Sequence, residues 1–130
     1  MTVVDASVVV GWLLQAPGED RFSRLLVAEE PLAAPHLLDA EVAHALRRLN
    51  LIGVLSTPSA LAALDDFSNL PLERYPHGRI LERAFVLRHN ASIYDALYLA
   101  LAEALSARFL TMDRALGLIP KLQAEVEVIG

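Results

Sequence analysis

Four acidic side chains stand where a fold could bring them together: Asp5, Glu41, Asp95 and Asp113. Asp5 and Asp113 each come just after a short apolar run, Val3-Val4 and Phe109-Leu110-Thr111. Asp95 opens an apolar stretch after Ser92-Ile93-Tyr94, and Glu41 lies among apolar neighbours between Ala40 and Val42. Carboxylates sharing one site raise each other's pKa, so gathering them is unfavourable unless a cation joins them. Mg²⁺ and Mn²⁺ prefer oxygen ligands and suit that role.

Each acid also has a purely structural use. Asp5 and Asp113 can cap the helical segments that follow them, and Asp95 can be the reciprocal partner of Ser92 in a capping box. Glu41 can face solvent on the same side as His44 or Arg48.

Other chemistries find less support. No Gly-x-Ser-x-Gly elbow accompanies Ser7 or Ser92, and Ser92 is better placed as a helix cap. His36, His44, His77 and His89 form no His-Glu-x-x-His spacing, which argues against zinc. Gly11, Gly117 and Gly130 are isolated, so no phosphate-cradling loop exists and no nucleotide cofactor is expected. A phosphatase using Asp5 as covalent nucleophile would want a second Asp two residues on, where Ser7 stands.

The elements that must position the acids are legible from punctuation and periodicity. Val3-Val4 predicts a strand, and Ser7 to Gln15 a helix apolar nearly all round, ended by Pro17-Gly18. Helices are expected over Glu19–Glu29, His36–Leu51, Thr57–Phe67, His77–His89 and from Ser92 to about Ser106, with a short helical piece at Arg114–Leu118. Strands are expected at Leu32–Ala34, within Leu70–Tyr75, at Phe109–Thr111 and around Val126–Ile129. Short apolar strands separated by helices, without clear alternation, indicate an α/β fold: a mostly parallel sheet covered by helices on both faces. In such sheets the working residues lie beyond the carboxyl ends of strands, where Asp5 and Asp113 fall.

With 130 residues the chain has the size of one domain, spanning 1–130. It is 55% apolar, above the usual globular share of roughly 45–50%. The net charge of -5 argues against tight nonspecific binding to nucleic acid, although catalytic carboxylates neutralised by metal leave a nuclease open. The absence of cysteine fits a cytoplasmic protein. The run from Ala6 through Ala16 lacks a preceding basic stretch, and Ala96–Leu110 is interrupted by Glu103 and Arg108. Neither a secretory signal nor a membrane span is expected.

Four stretches together resemble the PIN-domain nucleases, and among them the VapC-type toxins of bacterial toxin–antitoxin pairs. They are Val3-Val4-Asp5-Ala6-Ser7, the helix with Ala40-Glu41-Val42, Tyr94-Asp95-Ala96-Leu97-Tyr98-Leu99-Ala100-Leu101-Ala102, and Leu110-Thr111-Met112-Asp113-Arg114. The resemblance implies a PIN-like three-layer sandwich and a metal-dependent endoribonuclease. It makes Asp5, Glu41, Asp95 and Asp113 the metal-binding acids, with Ser7, Ser92 and Thr111 as hydroxyl supporters. Many relatives carry a further acid shortly after the position of Asp113, where this chain has Gly117 and Leu118. That implies one firmly held Mg²⁺ or Mn²⁺ and a second bound weakly or only with RNA.

The same resemblance implies an RNA substrate, a homodimer and a cognate antitoxin whose tail lies across helices near the acids. Arg47, Arg48, Arg108 and Arg114 are the candidates for phosphate contact. Trp12, Leu13 and Leu14 either face the antitoxin or the dimer partner, or belong to the core. The alternative function is a catalytically inactive PIN-like domain that binds RNA or protein.

Overall fold

The computed structural model describes residues 1–16 and 19–130, so the expected Pro17-Gly18 helix stop lies outside the described residues. Among those residues five short strands form one sheet in the order β3-β2-β1-β4-β5. They are β1 (Thr2–Val4), β2 (Leu32–Pro35), β3 (Leu72–Tyr75), β4 (Arg108–Thr111) and β5 (Val126–Val128). Every neighbouring pair is parallel. Parallel neighbours need long crossovers, and helices supply most of them.

These are α1 (Ala6–Leu13) and α2 (Glu19–Val27), α3 (Leu37–Leu51) and α4 (Thr57–Ser68), then α5 (Leu81–Val86) and α6 (Ile93–Leu105). Short 3₁₀ turns follow at Leu87–His89 and Arg114–Leu118. β1 and β2 are buried along their whole length, which explains why Thr2 is their one polar side chain. The edge strands β3 and β5 are only partly covered, and their sequences mix charged with apolar residues.

Helix α6 is the centre of the molecule. Seven successive residues, Ala96 to Ala102, are buried, because the helix packs against β1, β2 and β4 on one side and α5 on the other. Ser92 caps its start by accepting the Asp95 N–H, and Ser106 ends it in the left-handed conformation at φ 50°. Tyr98 stacks on Phe109 of β4 with ring centroids 6.1 Å apart.

One expectation needs correction. The helix predicted over His77–His89 begins only at Leu81 and tightens into a 3₁₀ turn after Val86. The carbonyl of His77 accepts the N–H groups of Ile80 and Leu81 in a turn, while its imidazole Nε2 accepts the N–H of Leu37 at 3.1 Å. His77 therefore serves the start of α3 rather than a helix of its own. Trp12, Leu13 and Leu14 pack against the core and leave part of their surface open. They are half-buried against the core, with the Trp12 ring edge-on to Phe22 of α2 at 5.6 Å. No helix among the described residues is long and apolar enough to cross a membrane.

Candidate active site

The chain leaves β1 toward β2 and β3, then returns to the other side of β1 to form β4. The order therefore reverses between β1 and β4, and a crevice opens beyond the carboxyl ends of strands at such a reversal. Val4 pairs with Leu110 across it, so Asp5 and Thr111 are the next residues on the two strands. Both lead into the crevice.

Asp5 is 8% exposed and holds several donors. Its Oδ1 accepts from the Ser7 hydroxyl at 2.5 Å and from the Val8 N–H at 3.2 Å, and its Oδ2 accepts from the Thr111 hydroxyl at 2.5 Å. Ser7 Oγ in turn accepts the Met112 N–H, and Thr111 Oγ1 accepts the Asp113 N–H, each at 3.1 Å. Two hydroxyls thus tie the end of β1 to the turn after β4. The capping roles are real as well. Asp5 caps α1, and Asp113 caps the 3₁₀ turn by accepting the Ala115 N–H at 2.9 Å. A carboxylate offers about four acceptor sites, so capping leaves capacity for another ligand.

Glu41 projects from α3 and Asp95 from the first turn of α6. The Tyr98 hydroxyl, on a side chain only 1% exposed, donates to Glu41 Oε1 at 2.7 Å. Tyr98 lies three residues after Asp95, so one helix face carries the acid and the group that orients its neighbour. This residue escaped the sequence reading. The signal was present: a tyrosine at that spacing, inside an apolar run, needs a partner for its hydroxyl.

The acids act on one another. Burial pushes the Asp5 carboxyl up, against the pull of Ser7, Thr111 and Val8, and the charge of Asp95 adds to the rise. Burial likewise raises Glu41, opposed by Tyr98 and reinforced by Asp95 and Asp5. Asp95 is raised by burial and then by Asp113, with Ser92 pulling the other way. Among the described residues none of the four pairs with a basic side chain. Nor, among those residues, do three acidic or histidine side chains stand close enough to form a ready-made cage for one ion. Oxygen-only donors, carboxyls pushed up by burial and then by one another, and no basic partner among the described residues nonetheless fit a hard divalent cation.

The arginines divide. Arg48 lines a cavity together with Glu41, and Arg114 follows Asp113 directly and is exposed. Arg47 faces the groove between α3 and α4 instead. Arg108 lies away from the acids. It stands at the start of β4, level with Thr2, at the opposite end of the strand from Asp113. There it lies 3.7 Å from Glu125 and 3.6 Å from Glu127. Ser92 acts as the cap of α6, whereas Ser7 and Thr111 hold Asp5 directly.

A sequence profile of the PIN domain matches residues 2–122. The chain is 46% identical to Ribonuclease VapC1 of Mycobacterium tuberculosis over 98% of its own length and 96% of that protein. Its fold superposes on the crystal structure of PAE2754 from Pyrobaculum aerophilum with a TM-score of 0.74 at 23% identity, covering 96% of this chain and 82% of that one. VapBC2 from Rickettsia felis, in a crystal structure bound to a DNA fragment from its promoter, gives a TM-score of 0.72 at 17% identity over 99% and 98% of the chains. The chain belongs to the PIN-domain family, as a VapC-type toxin.

Proposed function

We propose that this chain is a ribonuclease toxin that hydrolyses RNA phosphodiesters with the help of Mg²⁺ or Mn²⁺. The observation that carries the reading is the convergence of Asp5 and Asp113 at the β1/β4 reversal, where burial and the charge of Asp95 raise the carboxyl of Asp5 and no basic side chain balances the group among the described residues. Similarity to VapC ribonucleases supports the substrate class.

Asp5, Asp95 and Asp113 would hold the ion. When bound, it supplies Lewis acidity that lowers the pKa of a water and offsets charge developing on the phosphate. Asp5 is kept in place by Ser7 and Thr111, so its carboxylate needs no reorganisation. Glu41, its carboxyl raised above the ordinary range and oriented by Tyr98, accepts a proton from the attacking water. The water oxygen joins phosphorus, the bond to the leaving oxygen breaks, and that oxygen takes a proton from solvent. One ion is held firmly and a second weakly or only with RNA, since Gly117 and Leu118 offer no further carboxylate. The catalytic unit is the single domain 1–130, working as a homodimer and silenced by a protein antitoxin.

Purified chain is expected to cut cellular RNA when Mg²⁺ or Mn²⁺ is added, to stop with chelator, and to lose the activity in Asp5→Asn. Wild-type protein that leaves RNA intact with both ions overturns the reading. The absence of a ready-made ion cage is the one observation that favours a noncatalytic RNA- or protein-binding domain. Calorimetric titration with Mn²⁺ separates the two, because that reading expects no binding that depends on Asp5.

A further inference from the structure

A cavity of about 640 Å³ opens beside Glu41, between the first turn of α1, one face of α3 and the start of α6. That volume lies within the roughly 300–1,000 Å³ typical of small-molecule clefts. Ala6 and Ala40 keep part of its lining low. Along α3, Glu41, His44 and Arg48 follow on one face, and the seven residues from first to last advance about 10 Å along the axis. Across from them stands Tyr94, next to Asp95 in sequence and 62% exposed.

The charge along this cavity has a direction. Glu41 borders the acids at one end, and Arg48, free of ion pairs among the described residues, stands at the other. We propose that the cavity is a subsite for one unpaired nucleotide next to the scissile phosphate. Its base stacks on Tyr94, its flanking phosphate meets Arg48, and the His44 imidazole faces the polar edge of the base. The assignment rests on the reading of this chain as an enzyme that cleaves RNA.

A nucleic-acid strand satisfies both ends of the cavity. The phosphate at the acidic end is balanced by the cation, and the next one by the guanidinium. A basic peptide tail would be drawn to the acids but would meet like charge at Arg48. An exposed aromatic ring beside a phosphate-binding arginine is the combination used to hold single strands, because every base offers a π-face.

The test uses full-length chain carrying Asp5→Asn to prevent turnover, with Ca²⁺ present and fluorescein-labelled random-sequence single-stranded RNA as probe. Adding Tyr94→Ala is expected to weaken binding about tenfold, within the range for loss of one base stack, and Tyr94→Phe to restore it. Arg48→Ala is expected to weaken binding and to lower the salt dependence by about one phosphate contact. In chain with Asp5 intact, the Tyr94→Ala loss falls on KM. Tyr94 is exposed, so the variants should melt like their parent, which a thermal scan checks.

RNA affinity unchanged by Tyr94→Ala, in a chain whose wild type cuts RNA, overturns the subsite and leaves the enzymatic reading standing. Equal loss in Phe and Ala variants overturns the stacking. Retained RNA affinity with weakened binding of a co-expressed protein antitoxin assigns the cavity to that partner instead. Wild-type protein that cuts no RNA removes the enzymatic reading itself.

Discussion

The hydroxyl of Tyr98 on α6 reaches Glu41 Oε1 on α3 at 2.7 Å, joining two residues 57 apart in sequence. Among the described residues it is the one hydrogen bond found for the Glu41 carboxylate, so it fixes which oxygen faces the crevice. Tyr98→Phe keeps the ring stacked on Phe109 and removes only the donor. The variant is expected to lose about 10–100-fold in activity, the scale of substitutions that free a group held beside a metal site. Its stability should fall by about 1 kcal/mol, read from the urea midpoint. Unchanged activity would mean that Glu41 needs no orientation.

Asp5, Glu41 and Asp95 hold protons more tightly in the folded chain than in an unfolded one. Their contribution to stability is complete below the ordinary carboxylate range and is lost as pH rises through their raised values. Glu30, Glu103 and Glu127 are lowered by their partners and run the other way, losing their contribution as pH falls. In chelator, the melting temperature of wild type should therefore fall relative to Asp5→Asn as pH rises from about 4 to 7. Mg²⁺ or Mn²⁺ at neutral pH should reverse the loss, by about 2.7 kcal/mol at a hundredfold excess over Kd. Thermal scans across pH, with and without ion, check both signs.

Strand ends and caps were legible because their causes are local. Asp5 after Val3-Val4, Asp113 after Phe109-Leu110-Thr111, and Ser92 ahead of a helix need only neighbouring residues to be understood. What the sequence concealed depends on tertiary crossings. The partner of Tyr98 lies on another helix, the imidazole of His77 is taken by Leu37, and Arg108 meets Glu127 only once β4 and β5 pair. Four arginines look alike in one dimension, and the packing of α3 and the direction of β4 separate them.

Arg108 provides a check on that separation. Its charge is shared with Glu125 and Glu127 at the end of β4 remote from the acids. Arg108→Ala should leave cleavage rate and KM for RNA at wild-type values and lower stability by at most about 1 kcal/mol, the usual scale of partly exposed pairs. Kinetics and a melting curve on the same preparation suffice. A raised KM with unchanged melting would return Arg108 to the RNA surface.

Gly117 is crowded by the side chain of Val128. A Cβ at that position would stand 2.9 Å from Val128 Cγ2, so a side chain there requires the Val128 side chain to shift. Gly117→Asp is expected to destabilise by about 1–3 kcal/mol through overpacking. Trimming the obstacle should relieve part of this. In Gly117→Asp with Val128→Ala, the loss should be smaller than the sum of the two single losses, because the residues share one contact. If the missing carboxylate is what leaves the second ion weakly held, the double variant should also show a tighter second event in calorimetric Mn²⁺ titration. Strict additivity in stability would show that Val128 is not the obstruction. An unchanged titration would place the weakness of the second site elsewhere than at Gly117.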